Sequence, residues 1–125
     1  MNAIDVVQRQ VDAYNARDLL QFVACYADNV RVYRPPASDP FLAGKADFTE
    51  FYRTQRFNLP GLHAEIVNRM VLGRRVIDHE RITGVRGEPY EIAVAYDVAD
   101  DRIATVWTFA ADEMNATDAD KDLPR

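Results

Sequence analysis

The pattern of apolar residues predicts an α+β domain in which helices pack on one face of a curved, mostly antiparallel sheet. Three observations carry that reading: two amphipathic helical stripes open the chain, a third follows a proline-rich loop, and four β-patterned runs then succeed one another with little between them. The first stripe is Ile4, Val7, Val11 and Tyr14, at spacings of three and four residues, which predicts a helix over 4–16. Asp18 followed by Gln21 resembles a capping box, and Leu19, Phe22, Val23 and Tyr26 continue a second helix to about Asp28-Asn29. Residues 30–34 alternate into a short strand that Pro35-Pro36 stops, because proline lacks the N–H a sheet needs. A loop containing Pro40 leads to a third helix over 46–58, marked by Phe48, Phe51, Tyr52 and Gln55. After Pro60-Gly61 the strands are 63–72, 76–83, 90–98 and 102–109, with turns at Gly73-Arg74 and Ala99-Asp100-Asp101.

At 125 residues the chain builds one domain with a real core. No apolar run approaches the roughly 18 residues needed to cross a bilayer, and the N-terminus lacks the plan of a secretion signal, so a cytoplasmic protein that does not engage membranes is expected. The formal charge is −5; five acids and two bases place −3 of it in residues 110–125, for which an acidic, disordered tail is expected after a domain over 1–109. An acidic chain without a basic stripe argues against nucleic acid as a partner. The one cysteine, Cys25, lies beside an apolar helix face and reads as a small buried hydrophobe. His63 and His79 are far apart, with no His-x-His or Glu-x-x-His spacing, so neither a metal site nor a cofactor is expected.

The order of elements, together with Val11-Asp12-Ala13-Tyr14-Asn15-Ala16-Arg17-Asp18-Leu19, Tyr26-Ala27-Asp28-Asn29-Val30, Gly44-Lys45 and Ala104 to Phe109, resembles the nuclear transport factor 2-like superfamily, in its SnoaL-like and ketosteroid isomerase-like branch. The resemblance implies a cone-shaped, cystatin-like fold whose mouth holds a mostly apolar pocket. Aligned through Asn15-Ala16 and Ala27-Asp28, the oxyanion tyrosine of the ketosteroid isomerases falls on Gln10, their aspartate base on Arg34 and their second oxyanion acid near Ala93. An arginine stays protonated and cannot be that base, so the standard steroid isomerisation is not expected.

The stretch Val76 to Gly84 holds Asp78, His79, Glu80 and Arg81 in mid-strand. Neighbouring side chains on a strand leave by opposite faces, so Asp78 and Glu80 share one face, and Ile77, His79 and Arg81 the other. The resemblance implies that Val32 and Arg34, with Ile77, His79 and Arg81, point into the cone. On that alignment His79 is the candidate acid or base, Arg34 the anchor for a carboxylate or enolate, and Tyr52 a hydroxyl donor. Val106 adds an apolar wall and His63 stands at the rim. The competing structural reading pairs His79 and Arg81 with an acid such as Glu91 across the sheet. Asp78, with Glu80, forms a rival catalytic pair, against the reading that these acids bond Arg69 or Arg102. Small residues on one face of the last two strands (Ala93, Ala95, Ala104) would leave room for a ligand, putting Tyr96, Trp107 and Phe109 outside, where they imply a homodimer packed sheet to sheet.

The function these readings imply is binding of a small apolar molecule with a carbonyl or carboxylate, with proton-transfer chemistry of the isomerase, dehydratase or cyclase type. Two alternatives stand beside it: a non-catalytic binding or stabilising module, and an epoxide hydrolase-like enzyme, which needs a second aspartate that is not apparent.

Overall fold

The computed structural model describes residues 1–111. Helix α1 spans Ala3–Asn15, α2 Leu19–Ala24 and α3 Lys45–Gln55; the strands are β1 Tyr26–Tyr33, β2 Leu42–Ala43, β3 His63–Leu72, β4 Arg75–Thr83, β5 Tyr90–Ala99 and β6 Arg102–Ala110. They form one curved, open sheet in the order β2-β1-β6-β5-β4-β3, antiparallel throughout except where β1 runs parallel to β6. The helices lie on its inner face, α1 against β3 to β6 and α3 against β1 and β2.

Caps set the helix starts. Asn2 accepts from the Asp5 amide at 2.9 Å, and Asp18, as expected, accepts from the Gln21 amide at 3.1 Å. The second helix ends earlier than its apolar stripe suggested, because Tyr26 already pairs with Ile103 as the first residue of β1. A tertiary partner here overrides a local period. The short β2 lies inside the loop expected over 35–44, with Leu42 opposite Val32 and Ala43 opposite Arg31. Two residues are too few to show a strand period.

Buried side chains converge between sheet and helices. Val6, Val7, Tyr14, Phe22, Phe48, Ile82, Val94 and Ile103 are nearly or fully inaccessible, while Ile4, expected in the first stripe, is 40% exposed and leaves its place to Val6 and Gln10. The turns after α3 and after β4 meet at Gly84, where a Cβ would lie 2.1 Å from the Gly61 carbonyl oxygen and φ is +85°. Only glycine fits that contact. The expected boundary at residue 109 falls one residue short of the end of β6, and the tail expected over 110–125 lies almost wholly outside the described residues.

Candidate functional site

The pleat of β4 turns Asp78 and Glu80 inward, both with no exposed surface, and turns Ile77, His79 and Arg81 outward. This corrects the expected orientation of the strand. The inner face is set by Val76 and Ile82, also at 0% exposure, which share the parity of Asp78 and Glu80 and pack into the core. The outer face shows the competing reading of its charges: His79 Nε2 lies 2.5 Å from Glu91 Oε1, and Arg81 3.7 Å from Glu91 Oε2. An open cleft of about 200 Å³ beside His79 and Glu91, floored by Ala93 and flanked by Phe109, lies on this face.

The two buried acids have different partners. Asp78 accepts two hydrogen bonds from Arg69, at 2.6 and 2.8 Å, and Arg69 donates a third to Gln8 at 2.8 Å. The bond to Asp78 pushes the Arg69 pKa above its ordinary value, against the opposing effect of burial. Glu80 instead ends a chain of neutral groups. Tyr26 donates to the Gln10 carbonyl oxygen at 2.9 Å, the Gln10 amide donates to the Tyr96 hydroxyl at 3.1 Å, and Tyr96 donates to Glu80 Oε2 at 3.2 Å. Every donor points towards the carboxylate, so the dipoles reinforce one another.

The far side of this chain is aromatic. The Tyr26 ring lies 4.3 Å from Phe48 and 5.0 Å from Phe22, and Tyr52 lies 4.7 Å from Phe48. Tyr52 then meets Phe51, which meets Phe41 edge to face at 5.2 Å. Two guanidinium groups stand on that last pair: Arg34 lies 3.5 Å from the Phe41 ring centroid, and Arg56, at 3% exposure, 5.1 Å from that of Phe51.

Of the residues singled out from the sequence, Val32, Tyr52 and Val106 do line the interior, Arg34 lies half-buried at its edge, and Asp78 is inside but locked to Arg69. His79, Arg81 and Ile77 lie on the outer face, and His63 is exposed at the start of β3. On β5 the expected faces are exchanged: Ile92, Val94 and Tyr96 are inside, and Ala93 and Ala95 outside. On β6, Trp107 and Phe109 are outside as expected. Cys25 is buried; burial raises its thiol pKa, opposed by Arg9 and Lys45, and Sγ lies 3.4 Å from the Gln21 carbonyl. Sequence reasoning did not gather Gln10, Tyr26, Tyr96 and Arg56 into the site. One signal was available for Gln10: it is polar yet stands four residues before Tyr14 on the buried stripe of α1.

A helix-backed, curved sheet with a polar chain enclosed in an aromatic interior defines the class of small cone-shaped α+β domains. The chain belongs to the SnoaL-like domain family, whose model matches residues 7–117. No curated protein matches it. Among solved structures it is similar to a candidate ketosteroid isomerase from Kribbella flavida DSM 17836, with TM-score 0.76 and 22% identity over 88% of this chain and 78% of that one. It is also similar to an NTF2-like protein of unknown function from Cytophaga hutchinsonii ATCC 33406, with TM-score 0.77 and 12% identity over 94% and 96% of the two chains. A candidate polyketide cyclase from Sinorhizobium meliloti gives TM-score 0.71 and 17% identity over 86% and 99%. At these identities the likeness is one of fold. Among the described residues no helix is long and apolar enough to cross a membrane.

Proposed function

We propose that this protein binds a small, mostly apolar molecule with a carbonyl or carboxylate between the inner sheet face and the helices, and moves a proton on it. The observation that carries this reading is the hydrogen-bond chain from Tyr26 through Gln10 and Tyr96 into the fully buried Glu80. A carboxylate removed from water and reached by a phenol donor is suited to take a proton from carbon. In the step proposed, a C–H bond beside the carbonyl breaks, its proton goes to a Glu80 oxygen, and its electron pair forms an enolate. Reprotonation at the same or a neighbouring carbon regenerates Glu80. Arg34, at the far end of the aromatic wall from Glu80, anchors a carboxylate of the ligand remote from the reacting carbon, and Tyr52 belongs to the apolar wall. Glu80 thus takes the proton-transfer role first considered for His79, whose outward side chain cannot serve an interior ligand. The SnoaL-like family and similarity to candidate isomerase and cyclase structures support this reaction class.

Solvent exchange tests this without knowledge of the substrate. A panel of cyclic and aryl ketones incubated in heavy water should gain deuterium α to the carbonyl in the presence of the protein. Glu80→Gln should slow that exchange by at least about 100-fold. Ligands that bind yet return without deuterium would favour a non-catalytic binding module instead.

We also propose that two copies associate through the outer sheet face. Pairing places Tyr33, Trp107, Ala95, Ile77 and Met70 in one row across five strands, an apolar stripe suited to a second sheet. Tyr96, first expected in this interface, is buried inside at 0% exposure and drops out. A dimeric mass at micromolar concentration, reduced to monomer by Trp107→Arg, is the expected result.

A further inference from the structure

We infer that the outer edge of β3 pairs with the same edge of a second copy, antiparallel about a two-fold axis at Met70. This contact is independent of the interior site and of the sheet-face association proposed above. β3 ends the sheet order, so one side of its backbone has no strand beside it. Near its start a side chain fills that place: the Ala64 amide donates to Asn15 Oδ1 at 2.7 Å, and Asn15 Nδ2 donates to the Ala64 carbonyl at 2.9 Å. Asn15 thus imitates a neighbouring strand and marks Ala64 as a residue whose backbone groups face the edge. Successive residues of an antiparallel strand alternate in this, so Ile66 faces the edge too. The pairing with β4 then shifts between Ile66 and Asn68, a bulge at Val67 that resets the alternation and turns the backbone groups of Arg69 and Val71 outward. Among the described residues no backbone bond from another element reaches these two on that side.

The open half of the edge is also the apolar half. Val67, Met70, Val71 and Leu72 make up four of the nine large apolar side chains exposed among the described residues, so apolar surface gathers where the backbone is unpaired. Neither proline nor lysine interrupts β3, and those are the residues that commonly keep an edge strand from pairing. Self-pairing can be centred on Arg69, on Val71 or between them. Centring on Arg69 sets that arginine against its own copy, and centring on Val71 runs the pairing past the end of the strand at Leu72. Centring on Met70 sets Arg69 opposite Val71 on both sides of the axis, uses the outward groups of each, and covers Met70 and Leu72. The same register brings the start of β3, with the exposed Glu65, level with the turn at the end of the other copy's β3. In that turn Arg74 and Arg75 share a single acid, Asp97, at 2.8 and 3.5 Å, which leaves a net positive charge for Glu65 to complement.

Amide hydrogen exchange on the full-length chain reads the contact directly. Between about 20 µM and about 1 mM protein, exchange at Arg69 and Val71 should slow by at least about threefold, the scale expected of a small interface that forms in the high-micromolar range. The Ala64 amide, already bonded to Asn15, and those of Asn68 and Met70, which face β4, should not respond. Val71→Lys sets a like charge opposite Arg69 on both sides of the axis and should abolish the slowing at Arg69, whereas Val71→Glu should retain it. Trp107→Arg, which separates the sheet faces, should leave the slowing in place. Exchange at Arg69 and Val71 that does not vary with concentration would overturn the pairing, whether the two amides are open or are already protected within one chain. Equal behaviour of Val71→Lys and Val71→Glu would overturn the Met70 register, and loss of the slowing in folded Trp107→Arg would assign it to the sheet face instead.

Discussion

Asp78 and Glu80 are two residues apart on one strand, face the same way and are both fully buried, yet they belong to different kinds of site. Asp78 faces a guanidinium at 2.6 and 2.8 Å, a two-point ion pair that satisfies both oxygens. Glu80 faces a phenol at 3.2 Å, at the end of a chain of neutral groups. Burial therefore does not mark a carboxylate for chemistry. The partners differ: Asp78 sits in a two-point ion pair, whereas Glu80 accepts a hydrogen bond from a neutral phenol, a bond that a carboxyl group can keep in either protonation state.

The contrast makes predictions of decreasing size. Asp78→Ala leaves Arg69 charged with its partner gone and should cost about 3–5 kcal/mol in urea unfolding, as expected for breaking a buried pair from one side. Arg69 has its pKa raised by the bond to Asp78, so its contribution is complete below the ordinary arginine range and is lost only as pH rises through it. The Asp78→Ala loss should accordingly be the same at about pH 6 and about pH 9, well below that range. Glu80→Gln keeps the shape and the acceptor oxygen, and should alter stability by no more than about 1.5 kcal/mol while abolishing solvent exchange. A loss equal to that of Asp78→Ala would erase the distinction between the two acids. Tyr96→Phe removes one link and should cost about 1 kcal/mol, with slower exchange as the more sensitive readout. The smallest effect belongs to the outer face. His79 and Glu91 have side chains 47% and 44% exposed, and His79→Ala should change stability by less than about 1 kcal/mol and leave exchange untouched. Loss of exchange in that variant would return the chemistry to His79.

Much of the fold was legible because local signals and tertiary demands agree. The Asp18 cap, the Gly73-Arg74 turn and the four late strands all stand where their residues suggested. The misses have a common cause. Tyr26 reads as the end of a helical stripe until its parallel partner Ile103, far along the chain, makes it a strand residue. Gln10 looks like an interruption until Tyr26 and Tyr96 meet it from two other elements. Arg34 and Arg56 stand over rings of one pair only because Phe41 and Phe51 fold against each other. No local period records contacts of that kind.

By itself the sequence determined that Asp78 pairs with Glu80 and His79 with Arg81 on opposite faces, because the strand period of two follows from backbone geometry alone. Which face is inside was decided only by the tertiary structure. Strand pairing sets Asp78 opposite Val94 and Glu80 opposite Ile92, two core residues, and His79 opposite Ala93 on the outer face. A shift of one residue in that register would exchange the faces, and the energy that forbids it lies in the packing of Val76, Ile82, Ile92 and Val94 against the helices rather than in the charged residues themselves.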